Sequence, residues 1–178
     1  MDTLGKAFEE LAKLENGEFT QENNRFRAHD GELIFSSTYA LSFQYREVEF
    51  AVRNEVGHQD IGNISCKLAL QAERMEFEIE STSGLTLLFN RRAEALKIQN
   101  KYPPFCNFVE LNRAYVYLRD YAKESRFSPT IVGKNSNGSF NIDCEYSLYF
   151  KQKDLVLVKL IDFLKSLIDF LKDHRPLY

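Results

Sequence analysis

A histidine, two carboxylates and two glycines share one stretch, Asn54-Glu55-Val56-Gly57-His58-Gln59-Asp60-Ile61-Gly62-Asn63, and these are residue types from which a general base is built. An exposed imidazole titrates near neutrality, so His58 is the catalytic candidate if the chain is an enzyme. Such a base needs an orienting partner, and the sequence identifies none. The glycine spacing is superficially that of a phosphate loop. The Lys-Ser/Thr that would reach phosphate and metal is missing, and a strand rather than a helix is expected to follow, which leaves no helix N-terminus for an anion. Turn chemistry explains the same residues, because Gly, Asn and Asp readily take left-handed backbone. The stretch is therefore expected to be a long turn between two strands.

The remaining reactive side chains are scattered. His29 opens an expected turn, His29-Asp30-Gly31, and His174 lies beside Arg175 and Pro176 near the end of the chain. Neither shares a metal-ligand spacing with a cysteine or another histidine, so no metal and no cofactor is expected. Ser81-Thr82-Ser83-Gly84 reads as a hairpin turn and not as a G-x-S-x-G nucleophile elbow. Glu76, Glu78 and Glu80 alternate along one strand face, where they suit cross-strand pairing with Arg91, Arg92 or Lys97 better than they suit a cation. Arg113, Tyr117, Tyr121 and Glu124 form the outer face of an expected helix. Arginine and tyrosine together are typical of an interface, and Arg113, Tyr117 and Tyr121 are the binding candidates.

These groups have to be positioned by elements that the apolar periodicity reveals. The chain ends on a seven-residue unit written twice, Leu160-Ile161-Asp162-Phe163-Leu164-Lys165-Ser166 and Leu167-Ile168-Asp169-Phe170-Leu171-Lys172-Asp173. Lys159, Asp162, Ser166, Asp169 and Asp173 line one narrow polar stripe, so the helix is expected to be buried over most of its surface. Phe163, Leu164, Leu167 and Phe170 are expected in the core. The apolar width exceeds what one sheet face needs, so Leu160, Ile161, Ile168 and Leu171 are candidates for contact with a second copy or a membrane surface. The mixed Asp and Lys stripe favours the second copy.

A first helix is expected from Leu4, Phe8, Leu11 and Leu14, capped by Asp2 or Thr3 and ending near Asn16-Gly17. From Gly17 to about Asn100 the period becomes 2. Leu41, Phe43 and Tyr45, then Val48, Phe50 and Val52, then Ile64, Cys66 and Leu68, then Phe77 and Ile79 alternate with polar residues. Leu85, Leu87 and Phe89 read as a further strand, with Leu96 and Ile98 after it. After Pro103-Pro104, one middle helix carries Leu111, Ala114, Tyr115, Leu118 and Ala122 to about Ser125. Asn137-Gly138 marks a type I′ hairpin before a strand from Phe140 to Phe150. The whole predicts a single α+β domain over residues 1–178, an antiparallel sheet of several strands with an N-terminal, a middle and a long C-terminal helix packed on one face. Residues 32–54 can be laid over 76–100, which suggests a duplicated hairpin.

Composition narrows the functional classes. A net charge of −3 with signs mixed throughout gives no basic footprint for nucleic acid. Cys66, Cys106 and Cys144 are odd in number and far apart, as in reduced core thiols, and no signal peptide or bilayer-spanning run is present, so a cytoplasmic protein is expected. The leading expectation is a non-catalytic domain that binds a protein partner or assembles with itself. The alternative is a small-molecule or lipid binder, or an enzyme using the 54–63 loop, because fifteen phenylalanines are enough to line a cavity.

Overall fold

In the computed structural model, which describes residues 3–70, 72, 75–90 and 93–174 with the side chain of Leu85 excepted, the first period change falls where the sequence places it. Asp2, Arg91 and Arg92, expected as a cap and as ion-pair partners, lie outside the described residues, as do Arg175 and Pro176. Helix α1 (Thr3–Glu15) closes when Asn16 takes a left-handed φ of 53° and Gly17 N donates back to Ala12 O at 2.8 Å. This is the Schellman way of satisfying the last carbonyls.

Four strands follow: β1 (Glu18–Arg27), β2 (Leu33–Tyr45), β3 (Val48–Val56) and β4 (Ile61–Leu68). The chain then builds β5 (Phe77–Ser81), α2 (Gly84–Phe89), β6 (Leu96–Gln99), α3 (Pro103–Leu111) and α4 (Arg113–Glu124). It returns as β7 (Thr130–Ser136) and β8 (Ser139–Ser147), and ends on α5 (Lys153–Asp173). All eight strands join one antiparallel sheet in the order β1-β2-β3-β4-β8-β7-β5-β6, so the β7–β8 hairpin closes the gap between the two strand groups. That hairpin turns through Asn137 and Gly138 at φ 47° and 82°, the type I′ geometry that Asn-Gly accommodates with little strain. This is the α+β architecture expected, with an N-terminal, a middle and a long C-terminal helical segment.

The core lies on the sheet face that carries Tyr39, Leu41, Phe43, Phe50, Val52, Ile64, Cys66, Ile142 and Cys144, all buried. Phe8 of α1 meets Tyr39 at 5.9 Å, Phe105 of α3 stacks on Phe77 at 4.9 Å, and Phe163 and Phe170 of α5 meet Tyr115 and Phe105. These phenylalanines therefore pack on one another and on their neighbours, filling the layer between sheet and helices, while Phe26, Phe35 and Phe89 are exposed.

Three expectations are corrected. Residues 84–89 form α2 instead of a strand: Leu88 interrupts the alternation of Leu85, Leu87 and Phe89, and Ser83 caps the turn by accepting from Thr86 N at 3.2 Å. In the proposed overlay, strand residues Leu41 to Phe43 thus fall on helical residues 85–87. The middle helix is two helices, broken at Asn112, whose Oδ1 accepts from Ala114 N and Tyr115 N to start α4. Leu111 consequently ends α3 and is 81% exposed, not part of the buried α4 face. Finally, Leu160, Ile161, Ile168 and Leu171 are all buried within this same chain. The width of α5's apolar surface is used up by the sheet on one side and by α1, α3 and α4 on the others, so these four residues offer nothing to a second copy or a membrane. Among the described residues no helix is long and apolar enough to cross a membrane.

Candidate functional site

The strand pair that carries His58 turns in four residues, 57–60, between β3 and β4. Gly57 N donates to Asp60 Oδ1 at 3.0 Å and both residues have positive φ, so the carboxylate serves the turn and not the imidazole. His58 is exposed and meets the ring of Phe26 edge-on at 5.0 Å. Among the described residues it has no hydrogen-bonding carboxylate, hydroxyl or thiol, so nothing fixes a tautomer for base catalysis. His29 sits in the β1–β2 turn, and His174 stacks on Phe170 at 4.0 Å. No three His, Cys, Asp or Glu side chains gather around a common point among the described residues.

Two of the alternating glutamates, Glu76 just before β5 and Glu80 within it, are engaged by neighbouring strands. Glu76 Oε1 accepts from Asn135 N and Nδ2, Glu80 Oε2 accepts from Gln99 Nε2 at 2.8 Å, and Lys97 stands directly opposite Glu80 in register. The α4 candidates separate. Tyr117 and Tyr121 stack at 6.1 Å and are half-buried; Tyr121 also touches Phe127 and Phe150 and donates to Lys151 O. Burial pushes the Tyr117 hydroxyl above its ordinary range. Arg113 is exposed and borders a groove of about 620 Å³ with Leu111, Lys159, Asp162 and Ser166, open to solvent between α3, α4 and α5.

Two features escape the sequence reading. The first is β1. It occupies a sheet edge, runs for ten residues and is exposed at every position except the half-buried Phe19. Beyond Ser37, where β2 stops pairing with β3, the two strands β1 and β2 continue as a two-stranded arm carrying Phe26, Leu33 and Phe35, exposed by 38%, 39% and 61%. Arg25 lies over the Phe35 ring at 5.4 Å. The second is a polar row beneath the helices. Tyr39, Asn54, Gly62 and Tyr146 are successive register partners across β2, β3, β4 and β8. Tyr146 lies across Gly62 and donates its hydroxyl to Asn54 Oδ1 at 2.8 Å. A Cβ at Gly62 would stand 2.1 Å from that ring, so only glycine permits the contact. Asn54 continues the core-facing alternation of Val48, Phe50 and Val52, which is the one sign of its burial that the sequence carries.

No family model, curated protein or solved structure matches this chain.

Proposed function

We propose that this chain is a non-catalytic assembly domain that pairs with a second copy of itself through β1. The observation that carries the reading is the outer edge of β1, ten residues long, whose outward-facing backbone donors and acceptors have no strand beside them among the described residues. Such an edge is a template for strand pairing. Its charges are divided along its length, Glu18 and Glu22 in the first half, Arg25 and Arg27 in the second. Antiparallel pairing of two copies about a two-fold axis sets the acidic half of one strand beside the basic half of the other; parallel pairing would set like beside like. The aromatic arm at the end of β1 and β2 extends the apolar part of that contact. Buried, unpaired Cys66 and Cys144 support a reducing compartment as the setting.

Sedimentation equilibrium tests the reading. The native chain is expected to dimerise at micromolar to high micromolar concentration, and more weakly as salt screens the paired halves. The double variant Glu18→Lys with Glu22→Lys makes the whole strand basic, and is expected to sediment as a folded monomer. A native chain that stays monomeric at high micromolar concentration removes the proposal.

A further inference from the structure

The whole-chain charge of −3 averages over two faces of β1 that differ in sign. Successive strand residues point to opposite faces of a sheet. Phe19 meets Phe8 of α1 at 6.0 Å, so the odd-numbered residues of β1 lie on the helix side. That side carries Gln21, Asn23, Arg25 and Arg27, while Glu18 and Glu22 fall on the other. The register completes the surface from β2: Asn23 stands beside Ser37, Arg25 beside Phe35 and Arg27 beside Leu33. No carboxylate of either strand shares this face. In the connecting turn, Asp30 Oδ1 accepts from Glu32 N at 3.0 Å, and Glu32 keeps the phase of Ile34 and Ser36, on the opposite face.

Helix α1 packs over Phe19 and Tyr39, and past them the helix-side face lies open. Gln21, Asn23, Arg25, Arg27, Leu33 and Phe35 are all exposed, Phe35 by 61%. Two rows are tied by side-chain contacts: the Arg25 guanidinium lies over the Phe35 ring at 5.4 Å, and Asn23 Oδ1 accepts from Ser37 Oγ at 2.8 Å. Neither arginine has a carboxylate partner among the described residues. The face therefore offers three kinds of contact: cations for phosphate, an arginine–aromatic pair for stacking, and amides for base edges. An acidic peptide would use the cations and leave the ring and the amides idle. A single-stranded nucleic acid uses all three. Strand pairing along the β1 edge engages backbone groups in the plane of the sheet, so one chain presents this face and the inference does not rest on assembly.

We propose that the helix-side face of the β1–β2 arm binds single-stranded nucleic acid, with a base stacked against the Arg25–Phe35 pair, phosphates neutralised by Arg25 and Arg27, and base edges met by Gln21 and Asn23. The probes are fluorescein-labelled ten-nucleotide oligo(U) and oligo(dT), followed by fluorescence anisotropy at low salt, with a ten-base-pair duplex and poly-glutamate as unlabelled competitors. The expected result is saturable binding that weakens with salt along a log–log slope of about −1.4, the value for two phosphate contacts on a single strand. Binding of either strand supports the site, and the tighter of the two names its natural sugar. Phe35→Ala keeps every charge and is expected to weaken binding about fivefold or more. Arg25→Gln with Arg27→Gln is expected to abolish the salt dependence. All three positions are exposed, and an unchanged circular dichroism spectrum confirms that the variants fold. Absence of binding at high micromolar protein overturns the proposal, as does a folded Phe35→Ala protein of native affinity. Displacement of the oligonucleotide by poly-glutamate or duplex as readily as by unlabelled single strand also overturns it, since either outcome reduces the face to a patch of positive charge.

Discussion

Gly62 is glycine because an aromatic ring occupies the place of its side chain. Tyr146 reaches over it to Asn54, its ring packed against Phe127 and Phe150, so any Cβ at residue 62 displaces either the ring or the amide. Gly62→Ala is expected to destabilise the fold by about 1–3 kcal/mol, the usual cost of forcing atoms into a packed interior. Tyr146→Phe keeps the ring, leaves Asn54 Oδ1 unpaired and is expected to cost about 1–3 kcal/mol, a buried acceptor's desolvation. The two should not add, because both act through the same hydrogen bond. Urea unfolding of the single and double variants reads this directly, and fully additive losses would contradict a shared mechanism. Little of this is legible in the chain. Asn54 has the composition of a turn residue and stands next to Gly57 and Asp60, which are turn residues; only its phase, two after Val52, marks it as inward. His58 shows the reverse case. Its neighbours have catalytic chemistry, but Asp60 is consumed by the backbone of a four-residue turn, a fact fixed by φ angles that residue types do not reveal.

At the scale of elements, the last helix was the most legible part of the chain and its surroundings the least. The doubled heptad specifies a helix with a narrow wet stripe, and that stripe is where the structure places its tethers: Asp169 accepts from Tyr45 and Arg46, Asp173 from Arg46, and Lys172 donates to Arg46 O. Those contacts hold the β2–β3 turn, whose Arg46 and Glu47 both adopt positive φ without being glycine. What the periodicity does not encode is how many other elements share the apolar side. Three helices and a sheet cover α5, and burial that looked like a surplus is internal packing. Phe163 is 0% exposed against Tyr115, so Phe163→Ala is expected to cost about 3–5 kcal/mol through lost transfer energy and the cavity left behind. Ser166→Ala, on the exposed stripe, is expected to stay within about 0.5 kcal/mol. A Phe163→Ala protein with an unfolding midpoint as unchanged as that of Ser166→Ala would show that α5 is not docked as described. The misread α2 and the break at Asn112 share one cause: a cap of one residue, Ser83 or Asn112, outweighs a short apolar pattern that fits two periods.

For the molecule as a whole, burial of neutral acids sets the behaviour at high pH. Cys144 and Tyr146 are pushed well above their ordinary values of 9.0 and 10.0, chiefly by burial; the same cause raises the Cys66 thiol far above 9.0 and pushes Tyr115 up to about 12. In each case the folded state holds its proton more tightly than the unfolded chain does. The corresponding stability is fully present below the unfolded values and is lost as pH rises toward the folded ones, because the unfolded chain then releases protons that the native core retains. These groups therefore leave stability flat through neutrality and lower it from about pH 9, first through the thiols and then through the tyrosines. Urea midpoints measured from pH 6 to 11 should show that decline, and Cys144→Ala should delay its onset. Thiol titration adds an independent check, since Cys66 and Cys144 should resist a thiol reagent in the native protein while the half-buried Cys106 reacts. A midpoint unchanged to pH 11, or three thiols equally reactive at neutral pH, would mean that the sheet's inner face is open to water and that the core is not closed over these groups.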